Sequence, residues 1–331
     1  MKLLGNLDCE ARWAGVALPA AVERRISLYA TLLAACAPAG ERAEIWVPAA
    51  VDPARLLAHP GWTPPVVRAP PDPPPGGFDL AWADPAAAAA NDRGRALAIG
   101  RALGVALPGA RIVESIDALD AHLAGFAGRP WICKARWTAA GRDRARGDGA
   151  LTGALRTRIA RLLARFGPLV FEPWLDRVLD LGVCGEVAAS GEVHLLAPHR
   201  IVTDPRGGFL GIELAPQLAP ELARSLADVA RAAAGRLAAE TGYRGRFAID
   251  AFVYRSPGDG AGPGAPQLHP LCEINARHSF GWIAHALARR LGTRRLGFDA
   301  PPPGATVLIA PGPDGVAAWC AGPGAAAVDQ P

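Results

Sequence analysis

Two apolar segments near the C-terminus carry polar side chains of the kinds that bind metal ions and phosphates. The first has Asp250 at its centre, and the second carries Glu273, Asn275 and Arg277. Both segments are rich in β-branched and aromatic residues, which predicts two strands. Alternate residues of a strand share one face, so Glu273, Asn275 and Arg277 should project together, close to Asp250 if the strands are neighbours. Carboxylate and amide oxygens suit Mg²⁺, while a guanidinium suits a phosphate or a carboxylate.

A second candidate site is built around a lysine. The chain has 35 lysines and arginines, yet only Lys2 and Lys134 are lysines. Position 134 therefore favours a compact ammonium over a planar guanidinium. Lys134 ends a short apolar run, and a basic loop containing glycines follows it at residues 139–149. Such a loop can hold a polyphosphate through its backbone N–H groups, although the Walker sequence G-x-x-x-x-G-K-[ST] does not occur.

Each feature also has a simpler interpretation. The two C-terminal segments would be edge strands with solvated polar faces, and Lys134 would be a strand-end side chain beside a solvated arginine loop. An acid inside an apolar strand argues against the first interpretation, because burying an unpaired charge costs free energy. The presence of both features in one chain favours a binding site over either simpler interpretation.

Composition limits the classes of protein to consider. The 331 residues are 50% apolar and 20% charged, which predicts a globular chain with two or three subdomains. A net charge of +4 is too small to indicate nucleic acid or a membrane as a partner. The six cysteines form no C-x-x-C pair, and no secretory signal or long apolar run is present. We therefore expect a cytoplasmic protein.

Hydrophobic periodicity predicts the elements that position these residues. Helices are expected over residues 20–35, 52–58, 91–103, 149–166, 220–241 and 280–291, with another starting at Ser115. Strands are expected at residues 45–47, 111–113, 131–134 and 169–175, and an antiparallel hairpin over 178–188 and 192–201. These elements alternate between helix and strand, so the chain should be a mixed α and β protein.

Residues 91–291 resemble the ATP-grasp superfamily in three places. Lys134 and residues 137–142 resemble its strand lysine and its flexible phosphate-covering loop. Residues 169–174 resemble the linker that meets adenine. Residues 245–250, together with 273–277 and 279–281, resemble its metal-binding end, and this is the most specific of the three matches.

The resemblance implies an α+β, ATP-grasp fold, in which two α/β subdomains clasp ATP behind a small α/β pre-ATP-grasp subdomain. The implied domains are residues 1–90 as the N-terminal subdomain, 91–167 with Lys134 and the phosphate loop, and 168–291 with the metal site. Residues 292–331 would form a C-terminal extension with a disordered end. The implied cofactors are ATP and Mg²⁺.

The resemblance also implies roles in nucleotide binding. Lys134 would contact the phosphates, and Arg142 would cover them from the loop. Glu172 and Trp174 would lie in the segment that meets adenine. Asp180 would bind the ribose, although this position is more often a glutamate in the superfamily. The loop carries alanines at 139 and 140 where glycine or serine is usual, which removes possible hydroxyl contacts.

At the metal end, the resemblance makes Asp250 and Glu273 the bridging Mg²⁺ ligands and Asn275 a further ligand. Arg277 would stabilise an acyl phosphate or hold the acceptor carboxylate. The implied activity is that of a ligase which activates a carboxylate, from an amino acid or a small peptide, as an acyl phosphate and joins it to an amine. The resemblance allows a homodimer.

Two other activities stay open at this point. An ATP-grasp phosphotransferase would use the same site, because positioning and charge stabilisation dominate phosphoryl transfer. A polyanion-binding protein would use the arginines between residues 136 and 165. The small net charge counts against the polyanion binder. The sequence names neither the acid nor the amine.

Overall fold

The computed structural model describes residues 1–70, 77–126, 128–138, 143–205, 207–255 and 265–322. The role predicted for Arg142 therefore lies outside the described residues, and so does all but the first two residues of the tail that the sequence predicts to be disordered from Ala321. Ala321 itself belongs to a strand, so the disordered tail does not begin there. Within these segments, no helix combines the length and the apolar character that crossing a bilayer requires.

The N-terminal part contains a four-stranded parallel sheet. Its strands are β1 (Lys2–Leu4), β2 (Glu44–Trp46), β3 (Val66–Arg68) and β4 (Leu80–Ala81), in the order β3-β2-β1-β4. Helices α1 (Cys9–Trp13) and α2 (Ala20–Ala30) follow β1, and α2 continues as a 3₁₀ turn over Thr31–Cys36. The helix predicted over 52–58 is only a 3₁₀ turn, Pro53–Arg55, because its apolar face is too short to pack.

The next part is a four-stranded antiparallel sheet with helices packed on it. Its elements are α3 (Arg93–Ala102), β5 (Arg111–Val113), α4 (Ile116–Ala124), β6 (Pro130–Ala135), β7 (Arg144–Asp148), α5 (Gly153–Phe166) and β8 (Leu169–Pro173), with strand order β5-β8-β6-β7. Asp92, Ser115 and Thr152 each accept a backbone N–H at the start of a helix, which fixes where α3, α4 and α5 begin. Lys134 lies on β6, the strand between β7 and β8.

The third part is a nine-stranded sheet. Its strands are β9 (Asp176–Val187), β10 (Val193–Leu195), β11 (His199–Thr203), β12 (Phe209–Leu214), β13 (Gly245–Arg255), β14 (Pro266–Asn275), β15 (Arg295–Gly297), β16 (Thr306–Ile309) and β17 (Ala318–Ala321). Their order is β14-β13-β9-β11-β12-β15-β17-β16, with β10 also paired to β9. The predicted hairpin is present, but its return strand is divided near Pro198, which has no N–H to donate.

Two long helices cover this sheet. Helix α6 (Pro220–Thr241) and helix α7 (Phe280–Leu291) have the predicted bounds. Proline occupies the first turn of α6, where no N–H is needed, and Gly242 ends the helix with φ of 71°. Strands β15 to β17 come from the predicted C-terminal extension and join the sheet. The predicted domain boundaries themselves stay predictions.

The register of β13 and β14 positions the predicted metal site. The strands are antiparallel neighbours, with Asp250 opposite Glu273 and Ala248 opposite Asn275. Strand β14 ends at Asn275, so Arg277 lies beyond the strand. The expectation that all three residues project from one strand is therefore wrong for Arg277. Its side chain nevertheless returns to Asn275, since Arg277 Nη2 donates to Asn275 Oδ1 at 2.8 Å.

Candidate functional site

A cavity of about 2360 Å³ brings together most of the predicted site residues. Its lining includes seven of them: Lys134, Trp174, Asp180, Asp250, Glu273, Asn275 and Arg277. Ordinary ligand pockets have volumes of about 300–1000 Å³, so the cavity has room for a nucleotide and further substrates. Glu172 is not among the residues that line it.

The acidic pair is the electrostatic centre of the cavity. Burial, together with the neighbouring Glu273 carboxylate, holds the pKa of Asp250 well above its usual range. Asn275 Nδ2 donates to Asp250 Oδ2 at 3.3 Å. Glu273 Oε1 forms an ion pair with Arg93 Nη2 at 2.9 Å. Two adjacent carboxylates repel each other, and a bound cation would relieve that repulsion.

These donors fit a magnesium ion. No group of three or more histidine, cysteine, aspartate and glutamate side chains is arranged to hold a metal within the described ranges. Mg²⁺ needs few protein ligands, because it keeps several waters and binds substrate phosphates. Asp250 and Glu273 supply the carboxylates. The Asn275 amide would have to rotate to ligate, because its oxygen faces Arg277 and its nitrogen faces Asp250.

Lys134 is held in a buried ion pair. Its Nζ lies 2.5 Å from Glu172 Oε2, and the two side chains are 15% and 11% exposed. Burial alone would lower the pKa of Lys134, but Cys272 and Glu172 raise it above 10.5. Burial raises the pKa of the Cys272 thiol, so Glu172 is the charged partner at neutral pH. Lys134 is therefore a permanent cation at the wall of the cavity.

The predicted adenine and ribose residues lie on the segment that joins the two sheets. Trp174 directly follows β8, and the Arg146 guanidinium lies 4.3 Å from the centre of its ring. Asp180 is on β9, where it accepts from Arg177 Nη1 at 3.1 Å and from Thr203 Oγ1 at 3.3 Å. Both residues line the cavity, but Glu172 turns to Lys134 instead.

Arg277 is held by residues from different parts of the chain. Its Nε donates to Glu10 Oε1 at 2.5 Å, and its Nη1 donates to the His278 carbonyl at 2.9 Å. Glu10 belongs to α1, and both side chains are nearly buried. Burial alone would raise the pKa of Glu10, but Arg277 and hydrogen bonds hold it below 4.5. Helix α1 therefore fixes the orientation of Arg277.

Sequence reasoning missed Glu10 and Arg93. Arg93 opens α3 and ties Glu273 to the segment after β6, because its Nη1 also donates to Thr138 Oγ1 at 2.9 Å. The helix cap Asp92 predicts the start of α3 and hence the position of Arg93 along the chain. No local pattern indicates that Arg93 would meet Glu273 or that Arg277 would meet Glu10, because each contact joins distant segments of the chain.

Comparisons with known proteins give the fold. No protein-family model and no curated protein matches the chain. Among solved structures, it matches the biotin carboxylase domain of Hydrogenobacter thermophilus 2-oxoglutarate carboxylase, a dimer in complex with MgADP, ADP and bicarbonate. That match has a TM-score of 0.56 and 12% identity, and covers 96% of this chain and 85% of the other.

Two further solved structures agree. Staphylococcus aureus N5-carboxyaminoimidazole synthetase, complexed with ADP, has a TM-score of 0.54 and 10% identity over 97% of this chain and 92% of its own. The biotin carboxylase–β-γ-ATP complex from Campylobacter jejuni has a TM-score of 0.55 and 13% identity over 92% and 78%. The chain therefore has the ATP-grasp fold, and the predicted resemblance and α+β class are confirmed.

Proposed function

We propose that this chain, which has the ATP-grasp fold, is an ATP- and Mg²⁺-dependent ligase that joins a small-molecule carboxylate to an amine through an acyl phosphate. One observation carries the proposal: a permanent cation, an adjacent carboxylate pair and a fixed arginine line a single cavity. The solved structures of similar fold that are bound to ADP or an ATP analogue support it.

The proposed nucleotide contacts follow from donor geometry. Lys134 has three N–H donors, so its ammonium can keep Glu172 and still bind phosphate oxygens from the cavity. Trp174 and Asp180 would bind the base and the ribose. Asp250 and Glu273, with Asn275 after rotation of its amide, would hold Mg²⁺. The bound ion would neutralise charge on the transferring phosphoryl group.

Arg277 is proposed to stabilise the acyl phosphate or hold the acceptor carboxylate. Its guanidinium has five N–H donors, and three named hydrogen bonds leave two for an anion in the cavity. Glu10 acts through Arg277 as a positioning residue, because it fixes the plane of the guanidinium. Such fixed cations act on charge as it develops, and they need no reorganisation during the reaction.

Thermal unfolding with and without saturating Mg–ATP is the first test. Ligand at about 100 times its Kd adds roughly 2.7 kcal/mol to the free energy of unfolding. A Mg²⁺-dependent rise in Tm is expected, and carboxylates and amines are then screened for ADP release. Free phosphate as the second product means ligation, whereas a phosphorylated substrate means a phosphotransferase. A folded protein with no shift would contradict both activities.

The polyanion-binding alternative is less well supported. Several arginines of the predicted patch already have partners: Arg136 pairs with Asp92, Arg156 with Asp120, and Arg158 donates to the Arg144 carbonyl. A polyanion binder would lose affinity steeply as salt concentration rises. We also propose that the protein is cytoplasmic, that it forms a homodimer, and that it binds neither nucleic acid nor a membrane.

A further inference from the structure

The end of the cavity beyond Arg277 is lined by aromatic rings. Five residues, which we call the aromatic wall, share this position: Tyr29, Trp82, Phe209, Phe280 and Phe298. They come from α2, the segment after β4, β12, α7 and the segment after β15. Only Phe280 falls in a segment singled out from the sequence, residues 279–281, and none of the five carries a charge.

The rings form one continuous surface. Phe280 lies 4.6 Å from Phe298, 5.3 Å from Trp82 and 5.6 Å from Phe209, measured between ring centres. Tyr29 lies edge-on to Phe298 at 5.0 Å. Phe209 is 39% exposed, one of only two large apolar side chains so exposed in the described parts of the chain. Exposed aromatic surface on a cavity wall indicates a binding surface.

A second observation concerns a buried hydroxyl beside the wall. The Tyr29 hydroxyl is buried and has no hydrogen-bond partner among the described residues. A buried polar group without a partner costs about 1–3 kcal/mol, and Tyr29 lines the cavity. The hydroxyl itself is closed off from the cavity, so a ligand atom would satisfy it only after a neighbouring side chain moves.

A contact between Arg277 and Trp82 joins the charged end of the cavity to the aromatic wall. The Arg277 guanidinium lies 5.5 Å from the centre of the Trp82 ring. A carboxylate held by Arg277 would therefore place the rest of its molecule beside the aromatic wall. The apolar surface and the anion-binding group are arranged for one ligand that carries both an acid and an apolar group.

We propose that the carboxylate substrate carries an aromatic or branched apolar group that packs on the aromatic wall. This inference rests on the proposed ligase function, since it assigns the acid which that function activates. It disfavours small acids, because they would leave the rings uncovered. It also disfavours acids with a second charge, because that charge would be buried against the rings without a partner.

The test measures binding without turnover. 3-Phenylpropanoate and propanoate are each titrated into the full chain with saturating Mg–ADP, using calorimetry. The two acids share a carboxylate and differ in the ring alone. We expect 3-phenylpropanoate to bind at least about tenfold more tightly, as expected for filling an apolar pocket. Equal affinities, or no binding by either acid, would overturn the proposal.

Two variants locate the preference. Phe209→Ala should remove most of the difference between the acids, and it should fold because Phe209 is partly exposed. Val178→Ala is the matched control: Val178 is 45% exposed and does not line the cavity. An unchanged preference in F209A would contradict the role of the wall.

Mg–ADP affinity separates the two proposals. If F209A weakens Mg–ADP binding as much as acid binding, the wall holds the adenine and the inference fails. If Mg–ADP binds but the acids are not distinguished, only the inference fails. If Mg–ADP does not bind while 3-phenylpropanoate still does, the proposed function fails and the apolar subsite stands.

Discussion

The two ends of the cavity are built in different ways. At the charged end, Lys134 pairs with Glu172, Glu273 with Arg93, and Asn275 with both Asp250 and Arg277. At the aromatic wall the contacts are between rings, and the one buried polar group there, the Tyr29 hydroxyl, has no partner in the described residues. One end is a network of paired charged and polar groups, whereas the other is an apolar surface.

This difference determines what each end can do. Directional hydrogen bonds hold charged groups in a fixed geometry, as phosphoryl chemistry requires. Ring contacts are less directional and tolerate ligands of different shapes. The charged end should therefore determine the rate of reaction, and the wall should determine which acid is accepted. Substitutions at the two ends should accordingly change different measured quantities.

The largest effect should come from breaking the buried pair at the charged end. Lys134→Met leaves Glu172 buried without its partner, which should lower the free energy of unfolding by about 3–5 kcal/mol. The double variant with Glu172→Gln should recover much of that loss, and denaturant unfolding measures both. If Lys134 contacts the phosphates, the double variant should bind Mg–ATP more weakly than the wild type, even though its stability is recovered. Normal Mg–ATP affinity there would remove Lys134 from the nucleotide site.

Glu273→Gln should lower kcat by about 10²–10³-fold, the range found when one electrostatic group of an active site is removed. The substitution preserves shape, so the circular dichroism spectrum should change little, whereas loss of the ion pair with Arg93 should lower the Tm. Glu192→Gln is the control, because Glu192 is exposed and does not line the cavity. Near-normal ADP formation by E273Q would show that the metal assignment is wrong.

The sequence predicts that Asp250 and Glu273 lie side by side, because their two strands are close together along the chain. The alternation of apolar and polar residues places Asp250 and Glu273 on strands, and antiparallel pairing of those strands makes them direct neighbours. The bounds of α6 and α7 follow from proline, serine and glycine at their ends. Lys134 stands out in the sequence because the chain has only one other lysine, Lys2.

The remaining features depend on contacts that no local pattern encodes. Glu10 and Arg277 are 267 positions apart, and their pairing exists only after the N-terminal sheet docks on the larger one. The aromatic wall likewise collects one ring from each of several segments. From the sequence, each of these aromatic residues would be predicted to lie in the core. Only the folded structure shows that they also line the cavity.

Glu10→Gln tests whether the N-terminal subdomain positions the catalytic end. We expect kcat to fall about tenfold, or roughly 1.4 kcal/mol, with Mg–ATP affinity unchanged, because Glu10 contacts Arg277 and is not among the proposed nucleotide contacts. Glu44→Gln, which removes a surface pair with Arg68, is the matched control. A parallel loss of nucleotide affinity would indicate a general structural defect instead.

The same variant has a signature in pH. The pKa of Glu10 is lowered in the folded state, so its stabilisation is present above its unfolded value of about 4.3 and is lost as the pH falls through the folded value. Between the unfolded and the folded pKa of Glu10, the free energy of unfolding of the wild type should fall as the pH falls. Its slope should exceed that of E10Q by up to about 1.4 kcal/mol per pH unit. Identical slopes would show that folding does not change the pKa of Glu10.

The smallest effect should be at the wall. Tyr29→Phe removes a hydroxyl that meets no partner in the described ranges of the chain, so the free energy of unfolding should stay constant or rise slightly. Tyr243→Phe is the comparison, because the Tyr243 hydroxyl donates to the Arg246 carbonyl and its loss should cost about 0.5–1.5 kcal/mol. A destabilised Y29F would mean that the hydroxyl is satisfied within the folded chain. The Tyr29 hydroxyl would then need no substrate atom as a partner, and the aromatic wall would lose this polar contact to the substrate.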